Sequence, residues 1–318
     1  MMMLEPLTFE GLRGRESRNV ALARYTSWRT GGPADLLYLP ADRDDLASFV
    51  RQTRALGMPT VLGLGSNTLV RDAGVRGAVA VMHNPGGALA IADGLVYAEA
   101  GVAAPKLARF AANHGCVEAE FLAGIPGTVG GALAMNAGCY GGETWRYVAR
   151  VEVLLPSGTF AVRTPDDYSI AYRSVRRGDG SACDGIFTAA WFRFPLGDGA
   201  AARVRIKDLL NRRIATQPLG LPNAGSVFRN PPGDHAARLI EACGLKGLER
   251  NGARVSEKHA NFIVNPHGAA RASDIEALIL EVRREVLDRT GVALEPEVRI
   301  VGERSENGVA KPRGGAQR

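Results

Sequence analysis

Cysteine is scarce. Cys116, Cys139, Cys183 and Cys243 are the only four in 318 residues, and no two form a Cys-x-x-Cys pair. This pattern excludes a disulfide framework and the common zinc sites. The histidines, His83, His114, His235, His259 and His267, are equally scattered, so no metal centre is expected. Residues 1–18 lack the apolar core of a signal peptide, and no stretch approaches the roughly 20 apolar residues of a membrane helix. Together with the cysteine pattern, this sets the expected location as the reducing cytoplasm, with no membrane partner. Aromatic residues make up 6% of the chain and no basic run interleaves with them, so nucleic acid is not an expected partner. Two common phosphate-binding templates are also missing: there is no Gly-Lys-Ser/Thr ending of a P-loop and no Gly-x-Gly-x-x-Gly between a strand and a helix.

Glycine, by contrast, is abundant, at 39 residues. Seven of them, Gly124, Gly127, Gly130, Gly131, Gly138, Gly141 and Gly142, fall within residues 121–143 among small apolar neighbours. Each interior glycine costs about 0.5–1 kcal/mol of chain entropy, so so many together point to backbone N–H groups that must approach a ligand closely, as in diphosphate binding. A length of 318 residues with 46% hydrophobic content suits two or three domains with a full core. The net charge of +6 permits an anionic substrate and is equally met in Arg-rich solvated surfaces.

In chain order, residues 1–20 read as a lead-in. Gly31-Gly32-Pro33 precedes a strand at 35–39, a helix follows over 42–56 and stops at Gly57, and a strand at 60–64 runs into Gly65-Ser66-Asn67. Strand, helix and strand make a βαβ unit with a ligand loop at the carboxyl end of its second strand. Strands are expected at 95–100, at 147–155 and 159–163 joined by Pro156-Ser157-Gly158, and at 186–194, with a helix over 104–114. A second region begins near Val204 with a basic helix, 204–214, then an extended loop, 217–228, and a short helix, 235–243. A strand at 260–265 leads to Ser273-Asp-Ile-Glu276, which reads as a capping box opening a helix with Ile275, Leu278, Ile279, Val282 and Val286 on one face. A last strand spans 294–301, and 304–318 reads as a disordered tail.

Three polar positions stand out beyond the glycine loops. Arg173, in Tyr172-Arg173-Ser174, has the fork geometry to clamp a carboxylate, as well as the ordinary role of a surface arginine. Ser226 sets a hydroxyl in a tight turn beside Val227 and Phe228, where a purely structural turn serine also fits. Glu295, Glu297 and Arg299 would share one face of a strand, which also describes a salt-bridged surface.

Nine short pieces recur in a telling order between about residues 25 and 303. They are Thr30-Gly-Gly-Pro-Ala34, Gly63-Leu-Gly-Ser-Asn67, Ala123-Gly-Ile-Pro-Gly-Thr-Val-Gly-Gly-Ala132, Asn136-Ala-Gly138, Tyr172-Arg173-Ser174, Asn223-Ala-Gly-Ser-Val-Phe228, Gly244-Leu-Lys-Gly247, Val255-Ser-x-x-His259 and Leu294-Glu-Pro-Glu-Val298. This ordered set resembles the UDP-N-acetylenolpyruvoylglucosamine reductase (MurB) family of peptidoglycan synthesis. The resemblance implies an α+β fold: a two-lobed FAD-binding domain of PCMH or vanillyl-alcohol-oxidase type over 21–203, with lobes of about 21–84 and 85–203, then a smaller α/β substrate domain over 204–303. It implies noncovalent FAD held by Gly63, Gly65, Ser66, Asn67, Gly124, Ile125, Pro126, Gly127, Thr128, Gly130, Gly131, Asn136 and Ala137. NADPH would reduce the flavin and leave, and UDP-N-acetyl-enolpyruvoylglucosamine would then take its place.

In the family pattern, Arg173 and Glu297 match the positions that hold the substrate carboxylate and its enol-like intermediate. Ser226 matches the general acid. For Glu297 to help rather than repel, its carboxyl must be protonated, with a pKa raised by burial. The chain departs from the pattern at Glu249-Arg250-Asn251, where the family has a more Gly-rich turn. The span from Arg173 to Ser226 is too short for the tyrosine-bearing lid of one subclass, so the likeness is to the lidless second subclass. A monomer is expected. The alternatives are an oxygen-using flavoenzyme of the same fold and a non-catalytic nucleotide-sugar binder.

Overall fold

A computed structural model of the chain describes residues 8–84 and 86–304. The first lobe contains β1 (Arg15–Ala21), β2 (Pro33–Leu39), α1 (Arg43–Gln52), β3 (Thr60–Leu62), β4 (Thr68–Val70) and β5 (Val75–Val81). Its sheet has the order β1-β2-β5-β3, antiparallel at the β1 edge and parallel elsewhere. The lead-in expected over residues 1–20 is therefore structured in its second half, where Arg15 pairs with Leu39 and Val20 with Ala34. Its first five residues are all polar, as the exposed edge of a sheet allows, and such a run cannot be separated from a loop in sequence. The βαβ crossover exists, but β5 lies between β2 and β3, so the two expected neighbours are not adjacent. Asp42 starts α1 by accepting the Asp45 N–H at 2.9 Å.

The second lobe runs through β6 (Leu89–Ala92), β7 (Leu95–Glu99), α2 (Ala104–Asn113), α3 (Val129–Ala134), β8 (Gly138–Cys139), β9 (Gly142–Glu143), β10 (Val148–Leu154), β11 (Phe160–Arg163), β12 (Tyr168–Ala171), β13 (Ser174–Arg177), β14 (Ile186–Phe192) and α4 (Gly199–Thr216). An antiparallel sheet of order β11-β10-β14-β7-β6 packs against α2, α3 and α4 around Val151, Ala190, Phe192, Leu107 and Leu133. Helix α4 starts five residues before the expected Val204, because Asp198 caps it through the N–H groups of Ala200 and Ala201 at 2.8 and 3.0 Å. It buries Ala202 and Ile206 in the second lobe's core. By packing it thus completes that lobe rather than opening the C-terminal region.

The C-terminal region holds α5 (Ala236–Ala242), β15 (Glu249–Arg250), β16 (Ala253–Val255), β17 (Ile263–Val264), α6 (Ala272–Thr290) and β18 (Arg299–Val301). The apolar face foreseen for α6, Ile275, Leu278, Ile279, Val282 and Val286, is buried in its core. The capping is different from expectation. Asp72 of the first lobe accepts from the N–H groups of Ala272 and Ser273, both at 3.0 Å, and Glu276 pairs with Arg71 through two 2.9 Å bonds. The local box is shifted to Arg271 and Asp274, whose carboxylate accepts from the Arg271 N–H at 2.9 Å, and the distant Asp72 takes the next two N–H groups in place of the expected Ser273–Glu276 box. The expected strands at 260–265 and 294–301 shrink to β17 and to the three residues of β18, which pairs in parallel with β4 of the first lobe. Residues 305–318, most of the expected tail, lie outside the described residues.

Trp28 seals this junction. It is fully buried in the C-terminal core, donates from Nε1 to Ile263 O at 2.8 Å, and accepts at its own carbonyl from Asn265 at 3.1 Å. Replacing it with phenylalanine removes the indole donor from the buried Ile263 carbonyl. Trp28→Phe is expected to lower stability by about 1–3 kcal/mol in urea denaturation, and a loss under about 0.5 kcal/mol would show that the junction does not depend on this bond.

Candidate active site

An open cleft of about 290 Å3 lies where the two lobes and the C-terminal region meet. One wall is the loop 63–67 that leaves β3, and another is the loop 124–128 that enters α3. Glycine is required where these loops close on their surroundings. A Cβ on Gly65, whose φ is 62°, would stand 2.0 Å from Tyr25 O, and one on Gly63 would stand 2.5 Å from Thr128 Oγ1. Among the described residues, the N–H groups of residues 64–67, 127 and 128 donate to no protein acceptor. Unpaired backbone donors on two facing glycine loops form an anion-binding concavity, and they fit a dinucleotide cofactor such as FAD.

Not every expected cofactor residue lies on it. Gly63, Gly65, Ser66, Asn67, Gly124, Ile125, Pro126, Gly127, Thr128, Gly131 and Ala137 line the cleft, whereas Gly130 and Asn136 do not. Gly130 is a packing glycine: a Cβ there would meet that of Ala100 at 2.9 Å, and its N–H is taken by Ala100 O. The first turn of α3 is satisfied internally, since Val129 donates to Val102 O and Gly131 to Thr128 Oγ1. Asn136 is buried with φ 47°, and its side chain is consumed by Glu143, Ala171 O and Trp145 N–H. Its carbonyl instead holds Arg173.

Arg173, Ser226 and Glu297 come together on the cleft. The Arg173 backbone is left-handed, at φ 54°, a conformation that costs a non-glycine residue about 1–3 kcal/mol and that surrounding contacts must enforce. Its guanidinium donates from Nε to Glu297 at 3.1 Å, from Nη1 to Asn136 O at 3.2 Å and from Nη2 to Gly138 O, which commits three of its five N–H groups. Ser226 follows Gly225 (φ 73°), and its hydroxyl makes no protein hydrogen bond among the described residues. The Glu297 side chain is 13% exposed. Burial pushes its carboxyl above the usual range, against the opposing pull of Arg173 and, more weakly, Arg229.

Glu295 does not share this face. Its side chain is 75% exposed and stands 3.6 Å from Arg229, because residues 294–298 are not a strand and the alternation of faces does not apply. Arg299 does reach the cleft, and its N–H donates to Asn67 O at 3.0 Å. Arg213 and Gln217 were not foreseen. They lie one turn apart at the end of α4, with Arg213 Nε donating to Gln217 Oε1 at 2.8 Å. Burial lowers the Arg213 pKa, and no carboxylate pairs with it among the described residues. The basic helix was the available signal, but five of its residues are Arg or Lys and the pattern does not single out one. Cys139 also lines the cleft, and burial pushes its thiol up to about 11, so it is no thiolate at neutral pH.

Residues 217–301 match the family of UDP-N-acetylenolpyruvoylglucosamine reductase C-terminal domains, and residues 34–162 match a family of FAD binding domains. A UDP-N-acetylenolpyruvoylglucosamine reductase from Thiobacillus denitrificans is 54% identical, over 92% of this chain and 94% of its own length. Its counterpart from Nitrosospira multiformis is 52% identical, over 93% and 91%. The crystal structure of the UDP-N-acetylenolpyruvylglucosamine reductase from Thermus caldophilus superposes with a TM-score of 0.73 at 34% identity, covering 91% of this chain and 98% of that one.

The raised Glu297 pKa has a signed consequence for stability. A carboxyl whose folded pKa exceeds its unfolded value contributes stability that is present below the ordinary value of 4.5 and lost as pH rises through the raised one. The stability difference between Glu297→Gln and wild type should therefore shift toward the variant as pH rises through that window. Chemical denaturation at a series of pH values reads it, and a pH-independent difference would refute the raised pKa.

Proposed function

The chain belongs to the UDP-N-acetylenolpyruvoylglucosamine reductase family, and from that premise we propose that it reduces UDP-N-acetyl-enolpyruvoylglucosamine to UDP-N-acetylmuramate with electrons from NADPH, a step of peptidoglycan precursor synthesis. The observation that carries this reading is the convergence of Arg173, Glu297 and Ser226, from three separate segments, on the cleft that the glycine loops line. FAD bound across those loops supplies the two-electron carrier between the nicotinamide and the vinyl group.

The chain's own residues bind, orient and protonate. Arg173 keeps two N–H groups beyond those committed to Glu297, Asn136 O and Gly138 O, enough for a forked contact to the substrate carboxylate. As the double bond is reduced, negative charge develops on the carbon next to that carboxylate, and a preorganised cation there contributes several kcal/mol. Glu297 in its protonated form donates a hydrogen bond to the same charge; ionised, it would repel it. Ser226 delivers the proton to that carbon. A serine is a weak acid in water, so it acts only at hydrogen-bond range of a strongly basic centre. Arg213, which has no carboxylate partner among the described residues, suits a phosphate of the nucleotide. The reading takes the enzyme to act as a monomer. The reading carries with it a cytoplasmic site of action and, through the wall, a bearing on cell shape and division.

In an anaerobic cuvette, flavin bands should bleach with NADPH and recover on adding the enolpyruvyl UDP-sugar. Recovery with oxygen alone would leave the fold standing and remove the substrate, and the absence of flavin in a folded, cofactor-supplied preparation would remove both. Ser226→Ala should spare reduction by NADPH and slow reoxidation by the sugar about 10²–10⁴-fold. Equal loss in both half-reactions would take the acid role away from Ser226.

A further inference from the structure

The segment that carries Ser226 is held on both edges. On one side, Glu297 N–H donates to Val227 O at 2.8 Å and Arg229 N–H to Glu295 O at 2.9 Å. On the other, every bond comes from one residue. Asn261 accepts from Val227 N–H at its carbonyl (2.9 Å), accepts from Phe228 N–H at Oδ1 (2.9 Å) and donates from Nδ2 to Phe228 O (2.8 Å). Its side-chain amide thus stands in for a strand neighbour. Asn261 is 3% exposed and Phe228 1%, so water cannot replace these bonds. The peptide groups of Val227 and Phe228 have all their donors and acceptors engaged, and the Ser226 hydroxyl next to them has no protein partner among the described residues.

We propose that Asn261 is a positioning residue for proton delivery: by clamping Val227 and Phe228 from the edge opposite Glu297, it fixes where the Ser226 hydroxyl stands relative to the reacting carbon. The inference rests on the reductase reading. Proton transfer is the step most sensitive to a fraction of an ångström in donor placement, so a loosened clamp slows protonation before it disturbs binding. Asparagine is specific to the task. Aspartate can still accept from Phe228 N–H, but it cannot donate to Phe228 O and sets a charge against that carbonyl.

The test uses NADPH-reduced holoenzyme in anaerobic stopped flow with the enolpyruvyl UDP-sugar. Asn261→Asp should retain flavin and be reduced by NADPH within about twofold of wild type, with the sugar's KM within about threefold, while reoxidation slows at least about tenfold. Because the effect passes through Ser226, the double variant Asn261→Asp/Ser226→Ala should reoxidise no more slowly than Ser226→Ala alone. Multiplied losses in the double variant, or parallel loss of NADPH reduction, overturn the proposal. Should Asn261→Asp fail to fold, Asn261→Ser, which keeps a short polar group at the same edge, is judged by the same comparison. A wild-type enzyme that NADPH reduces and the sugar does not reoxidise removes the reaction itself, an outcome separate from a failure confined to Asn261.

Discussion

The hydrogen bond from Glu297 N–H to Val227 O is the joint on which the site depends. It brings together a carboxyl from the end of the chain and a serine some seventy positions earlier, and nothing local to either could do so. The same stretch is tied to the cofactor side, because Asn67 donates to Glu297 O at 3.2 Å and Arg299 N–H to Asn67 O at 3.0 Å. Residues 297–299 therefore touch both the acid-bearing segment and the first glycine loop. The Ser226 segment, the Glu297 carboxyl and the first glycine loop are joined through one strip of backbone.

That strip stays in place because the C-terminal region is anchored to the first lobe at several points. Trp28 is buried in its core, Asp72 caps α6, Arg71 forks onto Glu276 and β18 lies along β4. Each contact is modest, about 1–3 kcal/mol where a buried group is left unpaired. Their common effect is to hold the Ser226 and Glu297 wall against the loop 63–67. A left-handed Arg173 backbone is tolerable in such a frame, where three side-chain bonds and the Arg229 contact to its carbonyl over-determine its position.

Burial sets the chemistry of the assembled groups, and it works in opposite senses on neighbours. It raises the Glu297 carboxyl and the Cys139 thiol and lowers the Arg213 guanidinium. A Glu297 carboxyl whose pKa burial raises, set beside the cation of Arg173, suits the charge development proposed next to the substrate carboxylate. The fold that provides it is the α+β arrangement foreseen, an FAD-binding domain followed by a smaller C-terminal one.

The sequence by itself determined the features that arise from local chemistry. The glycine loops at 63–67 and 124–131, the buried face of α6 and the hairpin of β10 and β11 could be read from residue type and spacing, while the roles of Arg173, Ser226 and Glu297 were implied only by the family resemblance that the ordered motifs carry. What depends on neighbours distant in the chain could not. Asp72 shares the cap of α6 with the local Asp274, α4 completes the second lobe, and Glu295 parts from Glu297 because the backbone there pairs with Phe228 rather than forming a strand. Gly130 and Asn136, which look like ligand residues in the motif, are used for packing and for holding Arg173. Only the tertiary structure decided which glycines line the cleft and which face the core. A residue's type limits what it can bond to, but which partner lies within 3 Å is settled when separate segments pack.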